Sequence, residues 1–164
     1  MFSNARRRNI DKVIEANLDS LVSFAYFRVK NRDEAEDIVY EAILRLLEKS
    51  NKNKFDNIKC YLFRIVYNLC QDHWRHRHIE TIPLEKIDIP DNQDEVLDIE
   101  EINRINSLLD GLPRNESEII RMNVTDGLSF VEISQILDIP QTTIKSRFYS
   151  GMKKLKQKYY TNNQ

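Results

Sequence analysis

A chain of 164 residues has room for one ordinary domain or two small ones, and 41% hydrophobic residues give it material for a core. With 31% charged residues and 3 glycines the composition excludes a turn-rich sheet protein, and two cysteines exclude a disulfide framework. The formal net charge of −1 hides a segregation: residues 1–78 carry +4, residues 79–101 carry −8 and residues 102–164 carry +3.

The basic start, Met1 to Arg8, is followed by no apolar signal core, and no apolar run approaches the ~20 residues that a bilayer span requires. Together with the sparse cysteines this predicts a cytoplasmic protein without membrane insertion. From Ile10 the apolar residues Ile14, Leu18, Leu21, Ala25 and Val29 recur every three or four positions, one face of a helix. Asn31-Arg32-Asp33 breaks the pattern, with Asp33 as the expected N-cap. A second helix then buries Ala35, Ile38, Val39, Ala42, Ile43, Leu46 and Leu47. Its polar face opens on Asp33, Glu34, Glu36 and Asp37 and closes on Arg45 and Lys49, matching the helix dipole at both ends. Ser50 to Asn57 reads as a polar loop made basic by Lys52 and Lys54, with Phe55 in its middle. A third helix follows, with Leu62, Ile65, Val66, Leu69 and Trp74 on one side and Arg64, Arg75 and Arg77 elsewhere.

Residues 79–95 have no helical rhythm, and Pro83, Pro90 and the acidic excess mark a flexible linker. Helical spacing resumes at Ile102, Ile105, Leu108, Leu109 and Leu112. Gly111 and Pro113 break it, and a short helix from about Arg114 to Thr125 ends at Asp126-Gly127. The reading is all-α: two small helical domains, 1–78 and 102–164, joined by an acidic flexible linker, 79–101.

The strongest local signal is Ser129-Phe-Val-Glu132, a capping box that fixes where a helix begins. Ile133, Ile136 and Leu137 give that helix a buried face, and Ser134 is small enough for a close helix crossing. Asp138 falls where a left-handed turn residue is expected, Ile139 is expected to plug the core, and Pro140 suits the first turn of the next helix. That helix, about Gln141 to Lys158, buries Ile144, Phe148, Met152 and Leu155. It carries Lys145, Arg147, Lys153, Lys154, Lys156 and Lys158 with no acid between them. Two short helices joined by a tight turn place the second in the DNA major groove, so Gln141, Thr142, Thr143, Lys145 and Ser146 are expected to face base edges. A helical hairpin with a merely solvated basic face would share the capping box, but not the combination of box, turn, buried Ile144 and one-sided charge.

Catalytic signals are missing: there is no Gly-rich phosphate loop, no nucleophile elbow and no His-Glu-x-x-His, so neither an enzyme nor a cofactor is expected. Cys70, His73, His76 and His78 crowd one stretch. On a helix Cys70 and His73 share a face while His76 and His78 fan around it, and a closed zinc site needs four converging ligands. The four do not converge on one face, so a metal is not expected there.

The segment Gly127-Leu-Ser-Phe-Val-Glu-Ile-Ser-Gln-Ile-Leu-Asp-Ile-Pro-Gln-Thr-Thr-Ile-Lys-Ser-Arg147 closely resembles the fourth region of extracytoplasmic-function (ECF) bacterial RNA polymerase sigma factors, and Leu112-Pro113 looks like its opening. Asp33-Glu-Ala-Glu-Asp-Ile-Val-Tyr-Glu41 resembles their second region, and Tyr61-Leu-Phe-Arg-Ile-Val-Tyr-Asn-Leu69 looks like the helix bordering the minus-ten strand. The resemblance spans nearly the whole chain in the family's order. Departures are Tyr40 for the usual Gln, Ser134 for Ala, Asp138 for Gly, Ser150 for a basic residue, and His73-Trp-Arg-His-Arg-His78 for a run of arginines.

The resemblance implies a dissociable initiation subunit. Asp33, Glu36, Asp37 and Glu41 would face core RNA polymerase, although a solvated helix face explains any one of them equally well. Lys52, Lys54, Phe55 and Asn57, with Arg64, Arg75 and Arg77, would hold the opened minus-ten strand by stacking and cationic contact. Ordinary packing remains open for Phe55. Gln141, Thr142, Thr143, Lys145, Ser146, Arg147 and Tyr149 would read the duplex minus-thirty-five element of the promoter DNA. The acidic connector would thread the polymerase near the RNA exit path, and an anti-sigma protein would hold the factor in reserve. A free-standing helix-turn-helix regulator is the competing reading; it has no need of the Asp33–Glu41 segment.

Overall fold

The computed structural model describes residues 4–77 and 99–162, and among these there are helices and no strand. None of the helices is long and apolar enough to cross a membrane. They fall into two units, each with its own core.

The first unit packs α1 (Asn4–Val29), α2 (Arg32–Ser50) and α3 (Ile58–Arg77) against one another. Its centre is Leu21, Phe24, Ala25, Ala35, Leu46, Leu62, Phe63 and Val66, all buried. Phe24 and Phe63 meet edge to face, centroids 5.3 Å apart and planes at 86°, the arrangement that the aromatic quadrupole favours. The turn between α1 and α2 places Lys30 in the left-handed region at φ 59°, which a residue with a Cβ enters only where its surroundings hold it there. Asn31, not Asp33, is the N-cap of α2: its side chain accepts the Glu34 amide at 3.1 Å. Asp33 sits inside the first turn, where its charge complements the helix dipole.

Four expected core positions lie outside the core, Leu18 of α1 among them. Trp74 is exposed because the inward stripe of α3 runs Phe63, Val66, Cys70 and then His73 and Arg77, leaving Trp74 turned aside. Leu47 of α2 is exposed as well, and so is Ile105 in the second unit.

The second unit is built from α4 (Ile99–Asp110), α5 (Arg114–Ile120), α6 (Phe130–Leu137) and α7 (Gln141–Asn162). α4 begins at Ile99, so the last three residues assigned to the acidic connector are helical, while residues 78–98 and with them Pro83, Pro90 and His78 lie outside the described residues. The helix expected to run to Thr125 changes character at Arg121, where a wider π turn (Arg121–Thr125) lets the Asp126 amide reach the Arg121 carbonyl at 3.0 Å. Gly127 follows at φ +68°, a backbone state that favours glycine, and the Leu128 amide closes on the Met122 carbonyl at 3.0 Å. Leu108, Leu109, Leu112, Ile119, Ile120, Met122, Leu128, Ile133 and Ile144 are buried in this unit.

Candidate nucleic-acid interface

Around Ser129 local chemistry dictates geometry. Its Oγ accepts the Glu132 amide at 3.1 Å, and Glu132 Oε1 accepts the Ser129 amide at 3.1 Å, the reciprocal pair that the sequence pattern predicts. At the other end of α6, Asp138 takes φ 56° and ψ 48°, the expected left-handed turn. Ser134 does more than stay small. Its hydroxyl donates to the Ile139 carbonyl at 2.6 Å while its own carbonyl accepts the Ile139 amide at 3.2 Å, so the turn is tied on both sides. Ile139 is half-buried, not a fully covered plug. Pro140 stands one residue ahead of the first turn of α7, at the N-cap position, and its carbonyl accepts the Thr143 and Ile144 amides at 3.0 and 3.1 Å.

From that fixed start, α7 presents two faces. Ile144 and Gly151 are buried, with Phe148, Met152 and Leu155 half-buried against Leu109, Leu112 and Ile120. Gln141, Thr142, Lys145, Ser146 and Tyr149 form the exposed stripe on the other side, while Thr143 and Arg147 are half-buried. Phe130 of α6 meets Phe148 edge to face at 5.0 Å and lies 6.5 Å from Tyr149.

The six bases of this helix do not act alike. Lys154 Nζ lies 2.9 and 3.0 Å from the two carboxylate oxygens of Glu116 on α5, and Lys158 donates to the Gly111 carbonyl at 2.6 Å. Ser150, one of the departures from the resembled pattern, donates to Glu116 at 2.8 Å. Lys145, Lys153 and Lys156 are exposed, as is Lys158. Nothing local in the sequence marks Glu116: it is buried on α5 beside a second buried acid, Glu118, and only the fold sets it opposite Ser150 and Lys154.

Lys154 holds the Glu116 carboxyl below the ordinary carboxylate value, against the opposing effect of burial and with help from Ser150. A carboxyl with a depressed folded pKa stabilises the fold above its unfolded pKa, and that contribution is lost as pH falls through the folded value. The melting temperature of the second unit is therefore expected to drop on acidification below the ordinary carboxylate range. Glu116→Gln, less stable at neutrality, should show a shallower acid limb in thermal melts over a pH series; parallel limbs would contradict this.

In the first unit, the α2–α3 loop carries exposed Lys52 and Lys54. Phe55 stacks on Tyr61 with centroids 4.3 Å apart and planes at 23°, and Lys49 Nζ lies 5.8 Å from the Tyr61 ring. The half-buried Phe55 ring thus has one neighbour already and retains exposed surface. Asn57 caps α3: its Oδ1 accepts the Cys60 amide at 3.0 Å and its carbonyl accepts the Tyr61 amide at 3.1 Å. Arg77 donates to the Val29 carbonyl at 2.9 Å and approaches Glu34 at 3.9 Å, while His73 Nε2 lies 3.0 Å from Glu34. Both residues thereby fasten the end of α3 to the α1–α2 turn. Arg64 is exposed, and Arg75 faces Asp72 at 3.6 Å on the surface. Cys70 is buried in the core, and among the described residues no three His, Cys, Asp or Glu side chains converge as metal ligands.

On α2 all four expected docking acids are exposed, with Glu36 paired to Arg32 at 3.0 Å and Glu41 to Arg45 at 2.6 Å along the helix. Such exposed pairs contribute about 0.3–0.5 kcal/mol each and leave the face polar. Sequence reasoning missed what continues it. Tyr40, Leu44 and Leu47 are 66, 46 and 36% exposed, so Asp33, Asp37, Tyr40, Leu44 and Leu47 form one stripe, acidic at its start and apolar at its end. Their own three-and-four spacing, offset from the core stripe, was the available signal.

Residues 13–78 match the family model Sigma-70 region 2, and residues 102–155 match Sigma-70 region 4. The chain is 30% identical over 150 residues to the ECF RNA polymerase sigma factor EcfG of Rhodopseudomonas palustris (strain TIE-1), covering 87% of this chain and 80% of the relative. To SigW of Bacillus subtilis (strain 168), also an ECF RNA polymerase sigma factor, it is 28% identical over 161 residues, covering 88% and 85%. Its fold is similar to that of the sigma factor RpoE of Bartonella quintana, solved in complex with the anti-sigma factor NepR. The TM-score is 0.73 at 24% identity, covering 92% of this chain and 96% of that one. CnrH, solved with the cytosolic domain of CnrY, gives 0.68 at 17% identity, covering 94% and 90%.

Proposed function

The chain belongs to the ECF RNA polymerase sigma factors, and from that premise we propose which surfaces carry each part of the work. The stripe Asp33, Asp37, Tyr40, Leu44 and Leu47, flanked by Glu36 and Glu41, docks on core polymerase. Lys52, Lys54 and Phe55, with Arg64, hold the opened minus-ten strand, and Asn57 and Arg77 support that surface through the contacts they make inside the unit. The amino-terminal stripe of α7 reads the minus-thirty-five duplex. By likeness to a sigma factor solved with an anti-sigma factor, this chain is held by an anti-sigma protein of its own.

The observation that carries the reading is the α7 stripe: Gln141, Thr142, Lys145 and Ser146 are exposed together at the start of a helix whose turn is tied by Ser134 and capped from Pro140. Side chains at that place reach base edges when a helix lies in the major groove. A free-standing regulator would use the same helix, but would leave an exposed acidic and apolar stripe on α2 without a purpose.

Transcription in vitro with core polymerase and genomic DNA, with the start sites mapped, tests the assignment. Lys145→Ala and Ser146→Ala should each change promoter preference, by roughly fivefold or more where a base contact worth about 1–3 kcal/mol is lost. Start sites unchanged in both variants would take the reading of bases away from α7.

A further inference from the structure

We propose that the first turns of α1 and the α2–α3 loop form one cationic surface that binds the phosphate backbone of single-stranded DNA. This rests on the assignment of the loop to the opened strand, and it adds Arg7 and Arg8 to the residues that hold it.

The starting point is a contact across 47 residues of sequence: the Arg6 guanidinium donates to the Asn53 carbonyl, bringing the start of α1 against the loop that carries Lys52 and Lys54. Ile10, one turn on, is buried, so this end of α1 is seated in the unit. Arg7, Arg8 and Lys12 on α1 and Lys52 and Lys54 in the loop are all exposed. The acids on the same segments are Asp11, Glu15 and Asp56, fewer than the bases.

The placement of these cations makes little sense for the helix alone. α1 has no acid in its first turn and three consecutive arginines near its positive dipole end, the opposite of α2, which opens on Asp33 and Glu34. Arg8 and Lys12 are like charges one helical turn apart, which repel. A bound anion relieves both penalties at once. The ligand chemistry follows from the neighbourhood: a row of lysines and arginines beside a stacked aromatic pair, Phe55 on Tyr61, is the combination with which proteins follow a single strand. Arg7 and Arg8 therefore lengthen the phosphate track of the loop without reading bases.

The test uses holoenzyme reconstituted from the full chain and core polymerase, with a fork-junction DNA whose minus-ten strand is single, titrated across a salt series. Arg7→Ala/Arg8→Ala should weaken fork binding several-fold and lower the slope of log affinity against log salt by about 1.4, since each single-strand phosphate contact contributes about 0.7. Arg7→Lys/Arg8→Lys, which keeps the charges, should restore most of the slope, and this pair remains informative if the alanine variant folds poorly. Lys52→Ala/Lys54→Ala separates the two readings. Wild-type affinity and slope in the Arg7/Arg8 variants, alongside a loss in the Lys52/Lys54 variant, would overturn the inference and keep the loop assignment; wild-type behaviour in both would remove the loop assignment too. Weakened capture of core polymerase with an unchanged salt slope would assign the arginines to an acidic protein surface, and would equally overturn the proposal.

Discussion

Replacing Gly151 with leucine is expected to lower the melting temperature of the second unit by roughly 5–20 °C and to abolish duplex recognition by α7. The expectation comes from the approach of α5 to α7. A Cβ built on Gly151 would lie 2.8 Å from Ile120 Cδ1 and 3.1 Å from Glu116 Cβ. Alanine at this position sets a gain of about 0.5–1 kcal/mol in helix propensity against a contact that Ile120 can partly relieve by moving its terminal methyl. Leucine has no such escape, because its branched end must enter the space held by Ile120 and the α5 side chains. Overpacking of this kind costs about 1–3 kcal/mol, and each kcal/mol moves the midpoint of a small domain by about 4–8 °C. The consequence extends past stability. Glu116 sits on the same face of α5 and receives Ser150 and Lys154 from either side of Gly151, so pushing the helices apart breaks the brace that fixes the rotation of α7. Thermal melts of the full chain and binding to a minus-thirty-five duplex check both parts; a leucine variant that melts and binds like the parent would show that α5 does not hold α7 in place.

What could be read from the sequence was whatever short-range chemistry decides. The capping box at Ser129 and the left-handed turn at Asp138 each depend on a few adjacent residues, and both stand as expected. The N-cap of α2 depends on an equally local choice, yet Asn31 and Asp33 are both competent caps, and the amide that is reached, that of Glu34, decides for Asn31. Exposure was harder to foresee. Leu47 and Ile105 each continue an apolar rhythm, but a small group of packed helices covers only part of each helix's circumference. The sites depend most on distant pairings. Asn57 and Arg77 have the residue types of strand-contacting groups, and only the fold shows that one caps α3 and the other fastens it to Val29. The same holds for α7, where a row of six bases looks uniform until Glu116 and the Gly111 carbonyl, from elsewhere in the chain, engage Lys154 and Lys158. The recognition proposed for α7 therefore rests on fewer cations, and more on its neutral polar residues, than its charge suggests.

A substitution on α2 should separate docking from DNA reading. Leu44→Asp is expected to weaken binding to core polymerase by about 10- to 100-fold while leaving the melting temperature of the chain nearly unchanged. Leu44 is 46% exposed and lies between Tyr40 and Leu47 on the outer stripe, so an aspartate there removes little buried area within the unit. In a complex the same position would be desolvated, and a truncated or charged residue at the centre of an interface commonly costs 2 kcal/mol or more, with each 1.4 kcal/mol a factor of ten. Asp37→Lys, two turns toward the start of the helix, should reduce affinity chiefly through the association rate and should do so less at high salt, because exposed charges act by steering. The pair of variants distinguishes the apolar end of the stripe from its acidic end. Competition against a labelled sigma factor for core polymerase measures both, with binding to the minus-thirty-five duplex as the control. Loss of duplex binding in step with loss of core binding would mean that the two units do not divide the work, whereas full retention of core affinity in both variants would remove α2 as the docking surface.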